Sequence, residues 1–236
     1  MSQVIDPFKI ALQFTLKWEG GMGHPADLAG TVNRGISQDT YDTYCDQKGL
    51  EMRSVSEITD AEVEELYREM YWKASRADTM CLPLAVVHFD TAVNFSVTGS
   101  ISFLQEALGL SNPDGIFGPK TAAALAKNNN LQTATRYCQC RMNYRQERVQ
   151  KNPNQDVFLQ GWLRRDRDLL NYITQLAASE TSAKNNPGKS NAPVATSDAT
   201  RTPEKLTAEN RDQIAEKLEQ AINLLQEVVT LFKQKK

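Results

Sequence analysis

Apolar residues recur at helical spacing through most of the chain as far as Ala177. Phe8, Ala11, Leu12 and Leu16 form the first such stripe, the mark of a helix with one buried face. Asp6 supplies an N-cap, and Pro7 suits the first helical position because its φ is preset and it has no N–H to leave unpaired. Gly20-Gly21 closes this helix, so Glu19 falls in its last turn. From Met22 to Gln38 the pattern turns glycine-rich and irregular, with a short hairpin predicted near Thr31 to Ser37. A short helix follows from Thr40 to Lys48. Thr59-Asp60-Ala61-Glu62 is a capping box that opens another, running through Leu66 to about Trp72.

Pro83 starts a helix with Ala85, Val86, Phe89, Ala92 and Val93 on its apolar side. Ile101, Leu104 and Leu108 mark a separate one that stops near Gly109. After the Asp114-Gly115 turn, Pro119 begins a helix through Ala126. Leu131 to about Gln150 and Asp156 to Ala177 are also helical, the latter with Phe158, Trp162, Leu169, Tyr172 and Leu176 on one stripe. The expected fold is mainly α, with one small β-hairpin.

Composition changes at Ala178. Ser179 to Thr202 is rich in Ser, Ala, Thr, Asn and Pro, too polar to offset the entropy of ordering, and is expected to be a flexible linker. Leu206 to Lys233 resumes as an amphipathic helix with Ile214, Leu218, Ile222, Leu225, Val229 and Phe232 at spacings of three and four. Such a stripe on a lone helix is marginal in water, so self-association or a partner helix is expected, ahead of a membrane surface. The division by region is 1–97, 98–178, linker 179–203 and terminal helix 204–236.

The chain has 236 residues and a formal net charge of −2, so it is not expected to bind nucleic acid or anionic membrane through charge. The longest apolar runs, such as Leu82 to Phe89, fall far short of the ~20 residues of a membrane helix. The Met1-Ser2-Gln3-Val4-Ile5-Asp6-Pro7 start lacks the basic and apolar regions of a secretory signal. Synthesis in the cytoplasm and delivery by another route are therefore expected for any target outside the membrane. Cys45, Cys81, Cys138 and Cys140 match no metal-ligand spacing, with only His24 and His88 as further partners, and reduced thiols are the expected state. No metal and no cofactor are implied.

Glu19 is the first candidate for chemistry. A helix C-terminus disfavours negative charge, and the neighbouring Trp18 would disfavour it further by excluding water. Glycoside hydrolysis needs such a carboxylic acid, still protonated near neutral pH, to donate to the leaving oxygen. Gly20 and Gly21 would let a polysaccharide approach closely. An ordinary exposed glutamate at a helix end is the plain alternative. Asp27 could orient water or stabilise an oxocarbenium-like transition state, and Thr31 could hold the attacking water; alternatively Asp27 caps a turn and Thr31 begins a strand. Paired carboxylates sit ~5–5.5 Å apart in retaining and ~6.5–9.5 Å apart in inverting enzymes.

Lys17-Trp18-Glu19-Gly20-Gly21, then Pro25-Ala26-Asp27, then Thr31-Val32-Asn33-Arg34-Gly35-Ile36-Ser37 resemble the N-terminal signature of glycoside hydrolase family 108. Tyr71-Trp72 and Phe89-Asp90-Thr91-Ala92-Val93-Asn94 fit it too. Leu104-Gln105 to Leu108-Gly109 with Asp114-Gly115-Ile116-Phe117-Gly118-Pro119-Lys120-Thr121 resembles the predicted peptidoglycan-binding region of that family, and Gly161-Trp162 with Arg164-Arg165 its C-terminal mark. The resemblance covers roughly Phe8 to Ala177, and several motifs in order are far more specific than one. Ala29-Gly30 stands where the family usually has Gly-Gly, and Phe95 where a glycine often follows Asn94.

The resemblance implies a lysozyme-like N-acetylmuramidase that cuts the β-1,4 bond between N-acetylmuramic acid and N-acetylglucosamine in peptidoglycan glycan strands, with Glu19 essential. Asp27 and Thr31 fall where phage-type lysozymes place an aspartate and a threonine. Asn33, Tyr71, Trp72 and Asp90 are the further substrate-binding candidates, although Asp90 equally fits an anchor for a neighbouring loop and the aromatics equally fit a core. The alternatives are a non-catalytic wall-binding protein on the same fold and a lytic transglycosylase. A phage endolysin leaving through a holin, or an exported bacterial wall-lytic protein, would supply the setting.

Overall fold

The computed structural model describes residues 6–19 and 32–185, with side chains as far as Glu180. Gly20, Gly21, His24, Asp27 and Thr31 lie outside the described residues, as do the terminal helix and the linker beyond Asn185. The architecture is mainly α with a single two-stranded antiparallel hairpin among the described residues.

Helix α1 (Pro7–Glu19) starts where the sequence places it: the Phe8 amide donates to the Asp6 carboxylate at 3.0 Å. Strands β1 (Val32–Asn33) and β2 (Ile36–Ser37) pair Val32 with Ser37 and Asn33 with Ile36. The turn residues Arg34 and Gly35 both have positive φ, 52° and 78°, the two-residue turn whose twist matches a hairpin. Ser37 then caps α2 (Gln38–Lys48), and Gly49 in the left-handed conformation ends it.

Helix α3 (Asp60–Tyr67) opens with both halves of the Thr59–Glu62 capping box in place. It continues to Lys73 not as α-helix but as a wider π-helical turn, Arg68–Lys73. That turn brings Trp72 inward, edge-on to Phe8 and Phe89 at 5.6 and 5.8 Å between ring centres.

The two helices expected over Pro83–Val93 and Ile101–Leu108 follow directly on one another as the two halves of α4 (Leu82–Ala107), separated by the non-helical backbone of Ser96 with its φ of 69°. Leu84 to Ala92 are all buried, so this stretch is the centre of the body rather than a surface helix. Helices α1, α6 (Leu131–Lys151) and α7 (Asp156–Asn185) pack around it. Between α4 and α6 lies α5 (Pro119–Asn128). Helix α7 runs on to Asn185, beyond the expected end at Ala177, so the first residues of the expected linker are helical. Phe158, expected on its buried stripe, is 56% exposed and stacks on Trp162. Among the described residues, no helix is long and apolar enough to cross a membrane.

Candidate active site

Glu19 is the last residue of α1, as the punctuation of the sequence predicts. Its carboxylate meets the guanidinium of Arg165 on α7, with Nη2 donating to Oε1 at 2.7 Å. The same Nη2 lies 2.7 Å from Oδ1 of Asp90 on α4, so one arginine holds two carboxylates. The Glu19 side chain is 19% exposed while that of Asp90 is wholly buried. Solvent, and anything arriving from it, reaches Glu19 and not Asp90.

The hairpin forms the second wall. A Cβ on Gly35 would stand 2.8 Å from Oε2 of Glu19 and 2.9 Å from its Cβ and Cγ. Only a glycine permits that approach, and the positive φ of the turn asks for one as well. Tyr67 of α3 fastens this turn, its hydroxyl donating to the Arg34 carbonyl at 2.8 Å. Tyr67 and Tyr71 form the third wall, their rings 5.5 Å apart. Burial and then the charge of Glu19 push both phenols above the ordinary tyrosine range, so both stand as neutral O–H groups beside the carboxylate.

Asp90 accepts from Thr15 on α1 at 3.1 Å, from Arg141 on α6 at 2.8 Å and from Arg165. Burial alone would raise its pKa, but the two guanidinium charges bring it down to about 2. Its influence on the site therefore runs through Arg165, and the anchor reading, not direct substrate contact, fits its position. Arg141 continues the network to Asp166, with Nη2 and Oδ1 2.7 Å apart, although that nitrogen and Nε of Arg141 lack a well-directed hydrogen bond among the described residues. Arg145 closes on Asp166 through Nε at 2.6 Å. Three arginines thus face three carboxylates, Glu19, Asp90 and Asp166.

The remaining candidates take structural places. Asn33 is nearly buried and donates to the Val55 carbonyl at 3.1 Å, tying the hairpin to the following segment. Trp72 is a core side chain, 5% exposed. Trp18, expected to press on Glu19, sends its indole N–H to Asp168 at 2.9 Å. His88 is buried between Tyr137 and the Ser75 carbonyl. A depression of about 650 Å³ lies away from Glu19, lined by Gln105, Asp114, Ile116 and Lys120 among others; its Asp-Gly loop is stapled by Gln105, which holds Asp114 at 2.7 Å.

Arg165, Arg141, Arg145, Tyr67 and the contact role of Gly35 were not legible as parts of the site. One signal was available: the apolar stripe of α7 skips from Trp162 to Leu169, and Arg165 and Asp166 fill the gap, both buried.

A partly exposed carboxylate at a helix end, braced by a guanidinium and flanked by neutral phenols on a helical body, is an arrangement a glycoside hydrolase could use. Residues 12–95 match the Glycosyl hydrolase 108 model. Residues 99–167 match the Predicted Peptidoglycan domain, and the two matches together support a peptidoglycan hydrolase. Among solved structures, the chain is similar to Brucella abortus SagA, with a TM-score of 0.59 and 24% identity over 71% of this chain and 94% of that one. That likeness concerns the fold. No curated protein matches the chain.

Proposed function

We propose that the chain is an N-acetylmuramidase that hydrolyses the β-1,4 bond between N-acetylmuramic acid and N-acetylglucosamine, with Glu19 as the general acid. The observation that carries this reading is the position of Glu19: a carboxyl group fixed at one oxygen by Arg165, closed in by Gly35, yet still partly open to solvent. Cleavage of a glycosidic bond needs a proton delivered to the leaving oxygen as the bond to the sugar stretches, and a fixed carboxylic acid delivers it without reorganisation. The neutral phenols of Tyr67 and Tyr71 cannot compete as bases, and Tyr71 is assigned to meet a sugar, a reading supported by its partial exposure. Asp27 and Thr31 are assigned to water on the opposite face of the sugar, and Gly20 and Gly21 to close passage of the glycan. The setting fits a phage endolysin or an exported bacterial wall-lytic protein.

The test is fragment release from isolated peptidoglycan by the purified chain and by Glu19→Gln. Reducing N-acetylmuramic acid ends from the wild type, and a fall of about 10³-fold in the variant, are expected. Reducing N-acetylglucosamine ends would assign the other glycan bond. Anhydro ends would make the enzyme a lytic transglycosylase, which needs the acid but no attacking water.

A further inference from the structure

Glu19 and Asp90 belong to the region matched by the hydrolase model, whereas Arg165 and Asp166 belong to the region matched as a peptidoglycan domain. The contact between Glu19 and Arg165 crosses that division at 2.7 Å. We propose that Arg165 is a positioning residue of the active site, which fixes Glu19 and takes up the negative charge left on it as its proton departs, with Asp90 as the permanent counter-ion that sets how strongly it does so. This rests on the assignment of Glu19 as the acid.

The argument is one of charge and geometry. Protonating Glu19 removes a negative charge from beside a guanidinium that is only 10% exposed. Left alone, such a buried charge would make protonation costly. Asp90 removes that obstacle, because Arg165 stays paired with it at 2.7 Å whether or not Glu19 carries its proton. As the proton passes to the leaving oxygen, the Glu19 carboxylate re-forms within reach of Nη2, and the interaction strengthens as the reaction proceeds, which is what accelerates a chemical step. Arg141 in turn keeps Asp90 ionised, and Asp166 keeps Arg141 and Arg145 in place. The so-called binding region is then part of the catalytic centre rather than an appendage.

The groups that face Glu19 from the surrounding described elements are Arg165 of α7, Asp90 of α4 through that arginine, and the phenols of Tyr67 and Tyr71. Gly35 brings no charge. Arg34 beside it pairs with Asp60, and Lys17 of α1 pairs with Asp168. Neutralising Arg165 and neutralising Asp90 must therefore act on the acid in opposite directions.

The experiment is the pH profile of peptidoglycan hydrolysis for the full chain, Arg165→Met, Arg165→Lys, Asp90→Asn and the double variant Arg165→Met/Asp90→Asn, with Glu19→Gln alongside. The expected result for Arg165→Met is a kcat lower by about 10²-fold with KM nearly unchanged, and an alkaline limb moved up. Asp90→Asn moves the limb down, and Arg165→Lys recovers part of the rate, since an ammonium keeps the charge but not the fork. If Arg165→Met does not fold, the double variant, which leaves neither charge unpaired by the other, replaces it, and its limb is expected to move up. A limb that stays put, or moves the same way in Arg165→Met and Asp90→Asn, overturns the proposal and leaves Arg165 a stability residue. Full activity in Glu19→Gln would instead remove the acid assignment on which the proposal rests.

Discussion

Phe89 and Asp90 are neighbours on α4, both with no exposure, and they meet opposite worlds. Phe89 packs edge-on against Phe8, Trp72 and Tyr67 at 5.7 to 6.1 Å. Asp90 meets a hydroxyl and two guanidinium groups. The apolar side stabilises the body simply by leaving water. The charged side must first offset several kcal/mol of desolvation per ion, so it contributes little net stability. That a central helix keeps a charged face at all is explained by where the face leads: through Arg165 to Glu19.

The comparison is broken most forcefully at its two centres. Phe89→Ala is expected to cost about 3–5 kcal/mol through lost burial and the cavity left behind. Arg141→Met is expected to cost about 3–5 kcal/mol as well, because it takes from Asp90 and Asp166 one of the two arginines that each of them has in the interior. Denaturant unfolding separates the causes. Adding Asp90→Asn to Arg141→Met should recover part of the loss by removing a buried charge left with one arginine in place of two, whereas it should not repair the Phe89→Ala cavity. Equal behaviour of both backgrounds would erase the distinction drawn between the two faces.

The next effect concerns acid stability. Burial holds His88 neutral and brings its pKa down from 6.5 to about 4, against a smaller opposing effect of its bond to the Ser75 carbonyl. The unfolded chain therefore takes up a proton between pH 6.5 and 4 that the folded one refuses. Stability is complete above pH 6.5 and falls by about 3 kcal/mol as pH drops to 4. Asp90, with its pKa down at about 2, keeps its contribution above pH 3.8 and loses it only as pH falls below that, so the two windows do not overlap. Unfolding measured across pH 6.5 to 4.5 should slope in the wild type and run flat in His88→Gln. A slope preserved in the variant would assign the loss to other groups.

A smaller expected change in stability, with a larger one in rate, belongs to Gly35→Ala. The added methyl meets Glu19 at 2.8 to 2.9 Å on a backbone of positive φ, a strain of about 1–2 kcal/mol. Displacing the acid by even a fraction of its reach should lower kcat by about 10²-fold while the unfolding midpoint moves only slightly. Unchanged turnover would mean that the hairpin does not position Glu19.

What could be read in advance followed from local rules. Asp6-Pro7, the Thr59–Glu62 box and the short hairpin expected near Thr31 to Ser37 each act within a few residues, and the structure has the cap, the box and a hairpin over Val32–Ser37. Glu19 was legible for the same reason, as the last residue before a pair of glycines. The Glu19–Arg165 contact was not, because it joins positions 146 apart, and no local pattern records a partner on another helix. The π-helical turn at Arg68–Lys73 escaped because its period differs from the 3.6 by which apolar stripes are found. The two apolar stripes on either side of Ser96 correspond to two helical halves, but nothing local placed the break at that serine. Arg141 and Arg145 carry no local mark of burial in the sequence, and it is their burial against Asp90 and Asp166 that gives them meaning.

The most direct test of the central claim, that Glu19 is the proton donor, is to vary how much the leaving group needs a proton. Wild type and Glu19→Gln would be compared on peptidoglycan and on a dinitrophenyl glycoside of its disaccharide, whose leaving phenolate departs without help. The account predicts that the variant loses about 10³-fold on peptidoglycan and keeps most of its rate on the activated glycoside. Equal losses on both substrates would contradict it.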